Sequence, residues 1–299
     1  MLSEILKNSS GKSSWADWVA TDKSYAARET REILNTSFLS LSPQKRSRLS
    51  RKIRTGDAAT IDATIHEIIA YELLRRLDLA PDFEPTLGSR ETPDIGLEIL
   101  RTSFIADVFV THSPSSTVTD FGNGTGEAID RGERAKKIRD RIDEKSTKYA
   151  KTGLPLILFV FLGDHYILNA NHVERALFGQ TIAEIEPGEP FQDTVAAKRF
   201  GGVFLPDECG LPGHPNLSAV VACDWFDTLN RQNPGRRLHC RIIHHWHPHV
   251  ILPIGVFRPF PQVIWSRKEF VHIGEWNMVA RFVSGDRLEF RSYRADDPW

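Results

Sequence analysis

The chain has 299 residues, with 38 Lys and Arg against 39 Asp and Glu, a formal net charge of −1, and 40% apolar and 26% charged residues. That length allows one large domain or two of ordinary size, with a core that needs no staple, and the composition excludes a disordered or fibrous chain. Cys209, Cys223 and Cys240 are odd in number and form no C-x-x-C pair, which excludes a disulfide scaffold and a zinc ribbon and suits a reducing compartment.

The opening residues, MLSEILKNSSGKSSW, turn polar after one short apolar stretch, so no secretory signal is expected and the protein is expected in the cytoplasm. Residues 1–56 form an N-terminal helical segment, with weak amphipathic signals around Trp15, Trp18 and Ile33. Ser42-Pro43 then opens a basic helix, the hydroxyl capping it and the ring already holding helical φ. From Gln44 to Arg54 there are Lys45, Arg46, Arg48, Arg51, Lys52 and Arg54 and no acid, a charge of +6. From Arg131 to Lys151, nine Lys and Arg stand against Glu133, Asp140, Asp143 and Glu144, a charge of +5, so the remainder of the chain carries −12. Concentrated positive charge of this kind is what phosphate backbones select for, and a solvated helix face is its plainer alternative.

Residues 57–168 have the pattern of an α/β core. Between Asp57 and Leu77, Ile61, Ile65, Ile68, Ile69, Leu73 and Leu77 recur at helical spacing and predict one buried stripe, with Glu67, Tyr71 and Leu74 on a second, partly apolar face. After Gly88 the period changes to two. Ile95, Leu97 and Ile99, then Phe104, Ala106, Val108 and Val110, predict a hairpin turning near Arg101. Asp94 opens its first strand, and Asp107 lies within its second between Ile105 and Phe109, where an unpaired carboxylate is costly. The Ser-, Thr- and Gly-rich stretch from His112 to Asp130 predicts a long loop without the Lys-Ser/Thr ending of a phosphate-binding P-loop. The basic helix follows, and then Leu154 to Leu162, LPLILFVFL, predicts a strand covered on both faces and parallel to its predecessor. At nine residues it is about half of a bilayer-spanning helix, so no membrane association is expected.

Residues 169–299 are expected to be β-rich. A short helix is predicted around Val173 to Phe178, then strands near Gly202 to Leu205, Leu217 to Cys223, Leu238 to His245 and Val250 to Phe257. A last hairpin, Trp276 to Val283 and Arg287 to Tyr293, turns at Ser284-Gly285-Asp286. His244, His245, His247 and His249 crowd into six residues near Cys240, a set that could ligate zinc. Zinc is the less expected metal, because Pro248 breaks the strand and no second ligand pair has a recognised spacing.

The ordered set of a helix glutamate (HEIIAYELLRRL), a Pro-Asp at a strand start (ETPDIGLEI) and an acid on the next strand (SFIADVFV) resembles the PD-(D/E)xK, restriction-endonuclease-like nucleases over about residues 60–165. More narrowly it is similar to a group of uncharacterised bacterial proteins that share Lys145, Lys148, Tyr149, Leu154 and Pro155. The resemblance implies a mixed β-sheet core flanked by helices and metal-dependent hydrolysis of phosphodiester bonds in DNA. It implies Asp94, Asp107 and Glu67 as ligands of Mg²⁺ or Mn²⁺. Phe109 departs from the pattern, for it stands where the superfamily places its catalytic lysine. Lys145 is the candidate replacement, because it falls on the inward stripe of its helix with Ala135, Ile138, Ile142 and Tyr149. Lys45, Arg46, Arg48, Arg51, Lys52, Lys136 and Lys137 are candidates for holding nucleic-acid phosphates. Two alternatives remain open at this point: a nuclease-fold protein that binds nucleic acid without cleaving it, and a zinc module on the histidines. The oligomeric state, a homodimer among the options, is equally open.

Overall fold

The computed structural model describes residues 1–8, 14–87, 91–111, 133–162, 170–183, 197–206, 210–228, 235–265, 270–283 and 287–292. The loop 112–130, Arg131, Cys209, the turn 284–286 and Tyr293 lie outside the described residues.

Five helices precede the main strands: α1 (Leu2–Lys7), α2 (Ser14–Thr21), α3 (Tyr25–Ser40), α4 (Pro43–Thr55) and α5 (Ala58–Arg76). Their starts follow local chemistry. Ser24 Oγ accepts from Ala27 N–H, Ser42 Oγ from Lys45 N–H with Pro43 in the first turn, and the Asp57 carboxylate from Thr60 N–H. The expected single stripe on α5 understates its burial. Every residue from Thr64 to Leu74 is buried, because α3 and α4 cover the sides that the sheet does not.

The strands are β1 (Asp82–Phe83), β2 (Ile95–Ile99), β3 (Thr102–Thr111), β4 (Leu156–Leu162), β5 (Gln180–Ala183), β6 (Ala197–Phe200), β7 (Leu217–Thr228), β8 (Gly235–His244), β9 (Gln262–Trp265), β10 (Phe270–Ile273), β11 (Met278–Val283) and β12 (Arg287–Ser292). Helices α6 (Glu133–Ala150) and α7 (Ala170–Phe178) lie on either side of β4 in the chain. Ten strands form one mixed sheet in the order β1-β2-β3-β4-β7-β8-β11-β12, with β9 on β8 and β10 on β9, while β5 and β6 pair separately. β3, β4 and β7 run parallel. The segments 57–168 and 169–299 therefore share a single sheet, joined where β4 pairs with β7.

Alternation along the strands divides the core in two. Phe104, Ala106, Val108, Ile157, Phe159, Phe161, Val221 and Ile242 pack with α1–α5. Ile105, Phe109, Leu158, Val160, Val220 and Ile243 pack with Ile138, Ile142 and Tyr149 of α6 and with Val173 and Leu177 of α7. The sheet is thus the middle of three layers, and every residue of β4 is buried. Arg76 ties the far end to the helices, donating to the carbonyls of Val283 and Arg287 at 2.6 and 2.7 Å while its Nε holds buried Glu72. No helix among the described residues is long and apolar enough to cross a membrane.

Two expected strands are not strands. Residues 202–205 form a turn that clasps the end of α7, with Val203 and Phe204 N–H donating to Ala176 and Leu177 carbonyls. Gly202 lies so close there that a Cβ would come within 2.3 Å of Leu177 O. In 250–257, Pro253 supplies no N–H and leads into a 3₁₀ turn, Ile254–Phe257. The place beside the end of β8 is taken instead by β9, with Ile242 opposite Gln262.

The β2–β3 hairpin turns on Leu100 and Arg101, both with positive φ (50° and 65°) and Leu100 80% exposed. Left-handed backbone costs a non-glycine residue roughly 1–2 kcal/mol, and Asn-Gly is the pair this turn favours. Replacing Leu100 by Asn together with Arg101 by Gly is therefore expected to stabilise the protein by about 1–2 kcal/mol in equilibrium urea denaturation.

Candidate functional site

β2 starts at Ile95, opposite Ala106, but β3 continues to Thr111. From residue 107 onward β3 has no ladder partner on that side. The Asp94 side chain fills the break, its Oδ2 accepting from Val108 N–H at 2.8 Å. The Asp94 carbonyl accepts from Glu84 N–H at 2.7 Å, which fixes the backbone at the strand start. One pair beyond Ile95 and Ala106, Asp94 stands beside Asp107.

Asp107 is 1% exposed and points to the α6 side of the sheet. The Tyr149 hydroxyl donates to its Oδ1 at 2.6 Å. Oδ2, which has no hydrogen bond of good geometry, is ion-paired with the Lys145 ammonium. Burial first, and then the Asp107 carboxylate, push the Tyr149 hydroxyl far above the ordinary phenol range, so it stays a donor. Lys148 donates to the same Tyr149 oxygen at 3.0 Å and lies 3.5 Å from Glu91. The inward stripe of α6 is as expected: Ala135, Ile138, Ile142 and Tyr149 are buried, and Lys145 is 14% exposed at its side chain. Phe109 is packed in the α6 layer.

Glu67 projects from α5 and is 4% exposed. Both its oxygens accept from Lys52 Nζ, at 2.8 and 2.7 Å. Burial raises the proton affinity of Glu67, Lys52 opposes it, and Glu84 and Asp107 add to it. Asp94 is pushed well above the usual carboxylate range by burial, then by Glu67 and Asp107. Burial works against the Lys52 ammonium, but Glu67, then Asp94 and Glu84, outweigh it and its proton is held more tightly. Three carboxylates from α5, the start of β2 and the middle of β3 thus feel one another across the break in the sheet, with a lysine on each of two. Among the described residues no group of three or more His, Cys, Asp or Glu is close enough to hold a metal ion as arranged. The donor chemistry still fits a hard cation. All three groups are carboxylates, and positive charge is what their mutual repulsion calls for.

The basic residues divide by environment. On α4, Lys45 pairs with Asp82, Arg48 with Glu84 at 3.1 Å, and Lys52 turns inward onto Glu67, whereas Arg51 is exposed and Arg46 partly so. Lys136 and Lys137 are exposed on α6. Sequence patterns grouped Lys52 with the outward cations; it lies one turn after buried Leu49 and adjacent to buried Ile53. Tyr149 was legible as a residue of the inward stripe and of the resemblance, but not as a donor to Asp107.

Two histidines of the cluster have ring nitrogens engaged. His245 Nε2 is 2.7 Å from Gly213 O, and its Nδ1 accepts from His247 N–H at 3.0 Å, which leaves neither for a metal. His244 Nε2 bonds Gln262 Oε1 at 2.7 Å. Burial lowers the proton affinity of both, for His245 to about 4. Cys240 faces Cys223 across β7 and β8, Sγ to Sγ 3.4 Å.

Comparison with protein-family models, with curated proteins and with solved structures finds no match.

The raised proton affinity of Asp94 makes a stability prediction. The folded state binds this proton more tightly than the unfolded chain, so folding stability falls as pH rises from about 4, the unfolded value, through the folded one. Asp94→Asn removes that cost and keeps an oxygen for Val108 N–H. Calorimetry should find the variant level with wild type near pH 4 and about 2–4 °C higher in Tm by pH 8. A difference independent of pH would contradict the assignment.

Proposed function

We propose that this protein is a divalent-metal-dependent phosphodiester hydrolase of the PD-(D/E)xK kind, acting on DNA. The observation that carries the reading is the break beside β3, where Glu67, Asp94 and Asp107 are drawn out of water within electrostatic reach of one another and Lys145 sits on Asp107. The order of α5, the β2–β3 hairpin, α6 and parallel β4 supports it, being the helix, hairpin, helix and strand of that superfamily's core.

Asp94 and Asp107 would hold Mg²⁺ or Mn²⁺, with Glu67 as the third carboxylate, on a ligand water or a second ion. Such a cation, when bound, lowers the pKa of a water and neutralises charge on a phosphoryl oxygen. The chain's own part is positioning. Val108 N–H fixes one oxygen of Asp94, and Tyr149 fixes one oxygen of Asp107. Lys145 would release Asp107 Oδ2 to the cation and orient the nucleophile, in the role Phe109 cannot fill. Lys52 would keep Glu67 ionised. Lys136, Lys137, Arg46 and Arg51 would hold backbone phosphates, and Lys45, Arg48 and Lys52 would contribute less because acids already engage them.

The second reading is a nuclease-fold protein that binds DNA without cutting it, and Phe109 buried in the α6 layer is what favours it. Plasmid nicking with Mg²⁺ or Mn²⁺ separates the two. Wild type should nick, and Asp94→Ala, Asp107→Ala and Lys145→Ala should each lose about a hundredfold or more while still retarding DNA in a gel. Wild type that retards DNA and leaves it intact would establish the second reading, and failure both to cut and to retard would end both.

A further inference from the structure

Helix α6 ends with two lysines one turn apart, Lys145 and Lys148, and they stand differently toward the acids. Lys145 is ion-paired with buried Asp107. The Lys148 ammonium donates to the Tyr149 oxygen at 3.0 Å and lies 4.6 Å from the centre of the Tyr149 ring. The Tyr149 hydroxyl donates in turn to Asp107 Oδ1, and Thr92 O, on the segment that leads into Asp94, lies 3.2 Å from the same oxygen. Lys148 therefore stands two hydrogen bonds from Asp107, and the path leads outward. Asp107 and Tyr149 are buried, whereas the Lys148 side chain is 35% exposed.

An ammonium has three donors. Tyr149 takes one, and Glu91, itself 42% exposed, lies at 3.5 Å, longer than a charge-assisted hydrogen bond of good geometry. A pair this open to water is held weakly, so another anion can replace the acid. The other two lysines at the acids are committed more firmly. Lys52 serves both oxygens of Glu67, and Lys145 serves Asp107, so withdrawing either toward a phosphate leaves a buried carboxylate to be compensated by something else. A phosphodiester brought against Asp94 and Asp107 carries negative charge toward acids, and it needs a cation that faces the incoming side and can be released to it. Lys148 meets both conditions. The Tyr149 oxygen fixes its position, and Glu91 is the acid that a phosphate oxygen can replace.

We infer that Lys148 is the residue that receives a DNA backbone phosphate at the carboxylates, exchanging Glu91 for a phosphate oxygen while the Tyr149 oxygen holds its ammonium in place. The inference rests on the reading of the carboxylates as a DNA site, and it holds whether the DNA is cut or only bound. The test is fluorescence anisotropy of the full chain on a labelled DNA duplex in EDTA over a KCl series, so that neither metal nor cleavage enters. Lys148→Gln should weaken binding about fivefold, equally across duplex sequences, and should reduce the slope of log K against log salt by about 0.9, as loss of one phosphate contact requires. Lys148→Arg should keep the slope. Glu91→Gln should tighten binding, and only where Lys148 is present. Lys23→Gln, at an exposed position between α2 and α3, should leave the slope unchanged. A slope that Lys148→Gln does not alter overturns the assignment. So does an equal loss in Lys23→Gln, or a gain from Glu91→Gln that persists without Lys148, and each of these leaves the carboxylate site itself to the nicking assay. Wild type that binds no DNA overturns the assignment together with the reading on which it rests.

Discussion

The unequal length of β2 and β3 governs the chemistry of this protein. A strand that outruns its neighbour inside a covered sheet exposes backbone donors that water cannot reach, and each must find an acceptor. Asp94 answers Val108 N–H, and in doing so brings a carboxylate beside Asp107 and within the field of Glu67. The rest follows from electrostatics. Three acids in a poorly hydrated break repel one another, and two lysines approaching from opposite sides of the sheet, Lys52 on α4 and Lys145 on α6, hold the arrangement together.

Those lysines explain why the neighbouring helices are anchored as they are. Lys52 reaches Glu67 only because α4 packs against α5 through Leu49 and Ile53, and the Ser42 cap with Pro43 sets where that helix begins. Lys145 reaches Asp107 because Ile138, Ile142 and Tyr149 seat α6 on the sheet. Breaking either ion pair would strand a buried carboxylate, a costlier event than never having built the pair. The basic charge concentrated on these helices is therefore only partly available to a polyanion. α4 spends much of it on Asp82, Glu84 and Glu67, whereas the exposed lysines of α6 keep theirs.

What could be read in the sequence was whatever local chemistry decides. The Ser42-Pro43 start, the hairpin between Ile95 and Val110, the doubly covered β4 and the inward stripe of α6 all rest on period, cap and turn residues. The acids could be picked out because carboxylates among apolar neighbours demand partners. Contacts between distant segments were not legible. Val250 to Phe257 is an apolar run that reads as a strand, yet β9, from 262, lies on β8, a choice made by Pro253 and by Gln262 bridging His244 and the Ile254 carbonyl. Lys52 and Arg48 look alike in a basic run, and only α5 packed beneath them distinguishes the one that turns inward.

Phe109 is best understood through the same packing. In a strand, residues two apart share a face, so position 109 points where Asp107 points, toward α6. A lysine there would have to thread its stem between the sheet and Ile138 and Ile142 to bring an ammonium back to the carboxylate. With the helix seated this closely, phenylalanine fills the space and the ammonium arrives from the helix side, through Lys145. The strand thus supplies an apolar plug and the helix the cation at the acid. The constraint is the volume under α6, and it predicts a dependence between the sites: a lysine placed at 109 would need a smaller residue at 138 or 142 to make room for it.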